Sequence, residues 1–291
     1  MSINLILLII NKKNMTKLKW TTFKDKTVSV TGASSGIGLS ISKELAKREA
    51  NLILVARSED KLKEVAAIIR KTGVEAYVFN SDLSLPNSAE VLYNAINKVS
   101  LTVDLLINNA GYGRWGEFTS FKRTDYAKMI QLNINSLTDL CHLFIPDMVK
   151  KGSGGIINVG SMASFGPIPY ANVYSSTKTY VLNFTEALRY EYLEKGIQIM
   201  ALCPGATQSN FATNATEKSK VLQERVNKME RSNAYISSEE VANICLNAFL
   251  KNKMYVITGG SNKILHAIGR HLSRKAMLNL AGNMFKRVIG E

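Results

Sequence analysis

Tyr174 and Lys178 are separated by Ser175, Ser176 and Thr177, a spacing that sets two side chains on one face of a helix. A phenol titrates near about 10 and is a poor base at neutral pH; a neighbouring ammonium lowers that value and opens proton transfer. A tyrosine four residues before a lysine is also an ordinary surface neighbourhood, so the pair needs company. Ser161 supplies a hydroxyl just past the apolar run Ile156–Val159. A second group, Thr31-Gly32-Ala33-Ser34-Ser35-Gly36-Ile37-Gly38, stands between an apolar run and a helical pattern. Glycines in that position permit a tight turn and let backbone N–H groups, Ser34, Ser35 and Ile37 included, approach a pyrophosphate at a helix N-terminus. The spacing alone arises by chance; a strand before it and a helix after it make it specific.

Such groups act together only if a scaffold carries them to one edge. Short apolar runs alternate with helical patterns along the chain, which predicts βαβ units and a parallel sheet. Strands are expected at Thr27–Thr31, Leu52–Val55, Ala76–Phe79, Leu105–Ile107, Ile156–Val159, Ile197–Leu202 and Met254–Ile257. Helices are expected at Ile37–Arg48, Glu59–Lys71, Ser88–Lys98, Tyr126–Val149, Tyr174–Glu194 and Ser238–Leu250. Runs this apolar suit strands covered on both faces. The fold class is therefore α/β, a Rossmann-type doubly wound parallel sheet of about seven strands with helices on both faces. Ser161 then falls at a strand's C-terminal edge, where ligands bind in such sheets. The expected organisation is an N-terminal extension over 1–25, one catalytic domain over 26–260 and a basic amphipathic tail over 261–291. Within the domain, residues 208–233 are long, polar and helix-capable, and read as a lid.

Composition narrows the setting. With 46% hydrophobic and 21% charged residues, the chain is of the soluble globular type. Cys141, Cys203 and Cys245 are widely spaced and form no metal or redox motif, which points to a reducing cytoplasm and to no bound metal. The net charge of +14 fits a basic enzyme, an anionic cofactor or a membrane surface. Nucleic acid is not expected, because no zinc-ligand, basic-zipper or RNA-binding signature accompanies the charge. The apolar run Ile3–Ile10 is far shorter than the ~20 residues a spanning helix needs and lacks a signal peptide's flanks. Residues 1–14 read as a misassigned upstream start, with Met15 the real one, or as a short interfacial anchor. In the tail, Lys263, Arg270, Arg274, Lys275, Lys286 and Arg287 oppose only Glu291. Its apolar residues partly follow helical spacing, which suits a helix packed on the core or on a partner, or a peripheral membrane helix.

After the second strand the chain reads Val55-Ala56-Arg57-Ser58. NAD-binding proteins usually carry an acid here for the ribose hydroxyls, whereas an arginine pairs with a 2′-phosphate, so NADP(H) is the expected cofactor. A solvated arginine at a helix start is the plainer alternative. The turn Thr31–Gly38, Asn108-Asn109-Ala110-Gly111, Ser161, the Tyr174/Lys178 pair and Pro204-Gly205 together resemble the short-chain dehydrogenases/reductases, in the right order from about Lys26 to Gly259. The resemblance implies that Tyr174 moves a proton to or from a substrate oxygen, that Ser161 orients the carbonyl, and that Lys178 lowers the tyrosine pKa and holds the nicotinamide ribose. It implies a helix asparagine supporting a proton path to the lysine; the register in Leu132-Asn133-Ile134-Asn135 favours Asn133, with Asn135 the competitor. It assigns Asp82 and Leu83 to the adenine, Asn109, Ala110 and Gly111 to the cofactor's middle, and Thr207 to the nicotinamide amide, beside Gly32, Gly36, Gly38, Pro204 and Gly205. Asp82 also suits a helix-leading cap. Ser136 departs from the glycine common there in the family. Hydride would pass between the nicotinamide and a carbonyl or alcohol carbon.

Tyr112, Trp115, Phe118, Phe165, Ile168, Tyr170 and Phe211 lie on loops at strand ends and are expected to ring a pocket for a hydrophobic ketone, 3-oxoacyl chain or steroid-like ring. Loop packing is the alternative for each. Two rivals are a cofactor-sensing regulator, which the intact Tyr/Lys pair disfavours, and an anion- or membrane-bound scaffold using the tail. From the resemblance, a homodimer or homotetramer pairing the helices near Tyr126–Val149 and Tyr174–Glu194 is expected.

Overall fold

A computed structural model describes residues 20–217, 222–225, 228 and 235–289. The apolar runs become β1 (Thr27–Thr31), β2 (Asn51–Ala56), β3 (Ala76–Asn80), β4 (Leu105–Asn108), β5 (Gly154–Val159), β6 (Ile197–Cys203) and β7 (Tyr255–Ile257). They form one sheet in the order β3-β2-β1-β4-β5-β6-β7, every neighbouring pair parallel. All residues of β5 and β6 are buried, as befits central strands covered from both sides.

The helices among the described residues are α1 (Gly36–Lys47), α2 (Glu59–Arg70), α3 (Ser88–Lys98), α4 (Arg123–Ile130), α5 (Ser136–Lys151), α6 (Asn172–Tyr192), α7 (Phe211–Ala215), α8 (Ser238–Leu250), α9 (Gly260–Gly269) and α10 (Arg274–Ile289). On one face of the sheet, Ile41 and Leu45 of α1, Leu62 and Ile69 of α2, and Val241 and Phe249 of α8 build one core. On the other, Leu92 and Ile96 of α3, Leu140 and Phe144 of α5, and Val181 and Leu188 of α6 build a second. Strand order reverses between β1 and β4, so the connections leaving their C-terminal ends run to opposite faces of the sheet and leave a crevice.

The structure departs from expectation in two places and fills in a third. The helix expected over Tyr126–Val149 is α4 and α5 joined by a π-turn, Gln131–Asn135. Trp20 and Phe23, ahead of the expected domain start, are buried against Phe249, and the Trp20 indole donates to Gly154 O at 3.1 Å. The tail folds as α9 and α10, and α10 turns Phe285 toward the crevice. Residues 1–14 and, within the expected lid, 218–221, 226–227 and 229–233 lie outside the described residues. Among the described residues, no helix is long and apolar enough to cross a membrane.

Candidate active site

A cleft of about 490 Å³ opens along the C-terminal ends of the strands, from the β1–α1 turn to the N-terminal part of α6. One half is glycine-rich. Gly32 and Gly36 have φ of +67° and +53°, which favours glycine. A Cβ on Gly38 would stand 2.3 Å from Gly32 O, so this glycine lets α1 press onto the turn rather than lining the cleft itself. Ser34, Ser35 and Ile37 join Gly32 and Gly36 in the wall, with the N-terminus of α1 beside them. The β1 and β4 ends are stitched together. Thr31 Oγ1 accepts from Asn109 N at 3.0 Å and Ala110 N at 2.9 Å, and Asn109 Nδ2 donates to Thr31 O at 2.9 Å. Ala110 and Gly111 therefore sit fixed on the cleft wall.

Arg57, Asp82 and Leu83 line the outer end of the same half. Arg57 is exposed there. Burial pushes the Asp82 carboxyl up, but hydrogen bonds from Ser84 Oγ at 2.7 Å and Ser84 N at 3.0 Å, with the charges of Arg57 and Lys128, leave it below its ordinary value. Asp82 thus shapes its own turn while it faces the cleft. Ser136 donates to Leu83 O at 2.6 Å, tying α5 to that wall, a bond the glycine usual at this position cannot make.

The other half holds the titratable groups. Ser161 follows β5 and accepts from Ala163 N at 3.1 Å through its side chain. Tyr174 and Lys178 lie one turn apart on α6, both buried, the ammonium 5.9 Å from the phenol ring centre. Burial pushes the Tyr174 phenol up to about 12, opposed by a hydrogen bond with Ser161. Burial likewise pulls Lys178 down to about 8, and its Nζ donates to Val159 O at 2.8 Å. The phenol is thus raised by desolvation and lowered only by Ser161, where the sequence predicts a lowering by the Lys178 ammonium.

Asn133 is fully buried in the π-turn and stands behind the cleft wall. Its Nδ2 donates to Tyr112 O at 3.0 Å and Thr177 Oγ1 at 3.1 Å, and its Oδ1 accepts from Tyr112 N at 3.2 Å. Asn135 is exposed and donates instead to Gln131 Oε1. A Cβ on Gly111 would stand 3.0 Å from Asn133 Oδ1 and 3.5 Å from Lys178 Nζ, so these groups meet at the glycine. Pro204, Gly205 and Thr207 close the far wall, where Pro204 O accepts from Met162 N at 2.8 Å and Thr207 Oγ1 donates to Gly205 O at 3.0 Å.

Four of the seven expected pocket residues line the cleft: Tyr112, Trp115, Ile168 and Phe211. Phe118 does not: it is 57% exposed and stacks on Tyr126. Phe165 turns away to pack on His266 and Tyr255. Tyr170, at φ +64°, lines a separate groove beside α10. Asn262 and Phe285, absent from the sequence expectation, line the cleft instead. Phe285 meets Trp115 edge-on at 5.9 Å, and the Phe211 ring lies 6.3 Å from Trp115 and 5.4 Å from Tyr174.

Residues 26–220 match the short chain dehydrogenase family. The chain belongs to the short-chain dehydrogenases. As such it is an oxidoreductase acting between alcohol and carbonyl groups with a nicotinamide cofactor. This short-chain dehydrogenase is 31% identical over 199 residues to the ketoacyl reductase HetN of Nostoc sp., covering 68% of its own length and 69% of that protein. It is 37% identical over 180 residues to hydroxysteroid dehydrogenase-like protein 1 of Gallus gallus, covering 60% of its own length and 54% of that protein. A short-chain dehydrogenase from Sphingobium yanoikuyae in complex with NADPH superposes with a TM-score of 0.73 at 27% identity, covering 85% of this chain and 96% of that one. The glycine half suits a dinucleotide: its wall is backbone at Gly32, Gly36 and Gly111, and a helix N-terminus offers N–H groups to phosphate.

Proposed function

We propose that the protein is an NADP(H)-dependent carbonyl reductase and alcohol dehydrogenase for hydrophobic substrates, with Tyr174 as its acid/base. The observation that carries this reading is one cleft in which Tyr174, Ser161 and Lys178 face an aromatic wall at one end and a backbone-lined glycine turn at the other. When bound, the nicotinamide supplies or accepts the hydride. Ser161 and Tyr174 donate hydrogen bonds to the substrate oxygen, and the Tyr174 proton passes to that oxygen as negative charge builds there. Lys178 stands beside the phenolate this leaves, and its positive charge stabilises it. Asn133 holds the Tyr112 backbone and, through Thr177, the α6 turn that carries both groups. In oxidation the same groups act in reverse.

Gly32, Ser34–Gly36, Ile37 and Asn109–Gly111 would hold the pyrophosphate and ribose portions, Asp82 and Leu83 the adenine, and Pro204, Gly205 and Thr207 the nicotinamide end. Arg57 supports NADP(H) over NAD(H): it is exposed at the cleft's outer end, where a 2′-phosphate needs a cation. Trp115, Ile168, Phe211 and Phe285 support a hydrophobic carbonyl substrate, a ketone, 3-oxoacyl chain or steroid-like ring. By family resemblance, copies of the chain pair through α5 and α6.

Oxidation of NADPH and NADH across a panel of carbonyl compounds tests the reading, on wild type, Tyr174→Phe and Arg57→Glu. Tyr174→Phe should lose roughly 10²–10⁴-fold in kcat, the contribution of a positioned acid/base. Arg57→Glu should raise KM for NADPH and leave that for NADH nearly unchanged. Undiminished turnover by Tyr174→Phe, or a preference for small polar sugars, overturns it.

A further inference from the structure

The short-chain dehydrogenase chemistry leaves the outer surface of α9 and α10 unexplained. Ile264 and Ile268 are 63% and 54% exposed, and one helical turn separates them. Leu272, Leu280 and Met284 are exposed as well, with Met284 at 52%, whereas Leu278 shares the Phe285 side of α10 and lines a groove beside Pro169 and Tyr170. The inward side is different: Asn262, His266 and Phe285 pack on Thr258, Phe165 and Trp115. The outward apolar residues are therefore not the helices' means of holding the fold. Five large apolar side chains on two consecutive helices and the turn between them exceed the scattered exposure that needs no explanation.

Charge says what covers them. Lys263, Arg270, Arg274, Lys275 and Lys286 are all exposed, and no acidic residue occurs between Gly260 and Gly290. On a helical wheel Lys263 and, just past the helix end, Arg270 line one edge of the Ile264, Ala267 and Ile268 stripe of α9, which suits a helix lying in a bilayer interface with cations at the headgroups. A second copy of the chain would bring five more cations against the first five, which opposes self-association through this surface. An anionic lipid surface supplies both apolar depth and opposite charge.

We propose that α9 and α10 form a peripheral docking surface for anionic membranes, with Ile264 and Ile268 inserted and the surrounding lysines and arginines at the headgroups. The Phe285 side of α10 then lines the catalytic cleft while neighbouring parts of the same two helices touch the lipid, so an apolar substrate dissolved in the bilayer has a short route to Trp115. Docking itself rests on nothing assumed about the substrate.

Flotation of the purified full-length protein with phosphatidylcholine vesicles, with and without phosphatidylserine, tests the surface. Wild type should float with the phosphatidylserine vesicles, and raised salt should release it. The Ile264→Asp/Ile268→Asp pair should lower the partition coefficient about tenfold or more. Its carbonyl reduction in solution should match wild type, since neither residue lines the cleft. A Lys263→Gln/Arg270→Gln/Arg274→Gln variant should bind more weakly and with a shallower salt dependence. Sedimentation velocity on the same variants separates the rival occupant. Failure of folded wild type to float, unchanged binding by the aspartate pair, or a change of oligomer size in place of a change in flotation overturns the proposal.

Discussion

At the residue scale the site is governed by desolvation. Lys178 has a folded value of about 8 against an ordinary 10.5, and Tyr174 about 12 against 10.0. Because the lysine value is depressed, burial of its ammonium costs stability in full below about pH 8, and that cost fades as pH rises toward the ordinary value. The tyrosine value is raised, so its contribution is intact below its ordinary value of 10.0 and is lost as pH rises through about 12. From about pH 8 to 10 the lysine acts alone. Urea midpoints of Lys178→Met should therefore exceed those of wild type most at neutral pH, and the gap should narrow as pH rises from about 8 to 10. A gap independent of pH would show that the ammonium is not desolvated. The reductive kcat of wild type should fall over the same rise, because Lys178 loses its charge while Tyr174 keeps its proton; a pH profile flat through that range would contradict the role given to Lys178.

At the element scale the π-turn between α4 and α5 decides which asparagine matters. Helical register sets Asn133 and Asn135 on opposite sides, and here the turn between them is of the π type. The π-turn buries Asn133 and leaves Asn135 on the surface; such single turns are frequent at functional sites. Removing the Asn133 carboxamide strips partners from the Tyr112 N–H and C=O. Asn133→Ala should then cost about 1–3 kcal/mol by thermal or urea unfolding and lower kcat. Asn135→Ala should stay within about 0.5 kcal/mol and leave kcat alone. Equal effects of the two substitutions would remove the assignment. The sequence register had already favoured Asn133, but periodicity could not show the turn itself, because a π-turn differs from a helix by a single residue per turn.

At the scale of the whole molecule, the C-terminal helices complete a site begun by the sheet. Phe285 reaches the cleft from a helix that starts after every strand has ended, and it closes the aromatic series Tyr174, Phe211, Trp115, Phe285. Phe285→Ala should lower kcat/KM for a bulky apolar ketone about tenfold through a raised KM, with NADPH affinity unchanged. A matching loss of NADPH affinity would place Phe285 elsewhere in the binding scheme. The aromatics that left the cleft show the same dependence on long-range packing. Phe165 was captured by His266 of α9, a contact spanning about a hundred residues of sequence.

The strands, their parallel order and the residues Tyr174, Lys178, Ser161 and Gly32–Gly38 were legible in the sequence because each rests on local periodicity or on a turn whose chemistry is confined to a few neighbours. β1, α3 and α8 fall at their expected limits, and the other strands within two residues of theirs. What tertiary structure alone decided was everything set by where distant surfaces meet. That covers the π-break behind Asn133, the inward turn of Phe285, the outward turn of Ile264 and Ile268, and the burial that pushes the Tyr174 phenol up. An amphipathic pattern tells that a helix has two faces, not which of them meets the protein; a buried charge is likewise a property of the walls around it, which the chain supplies from both of its ends.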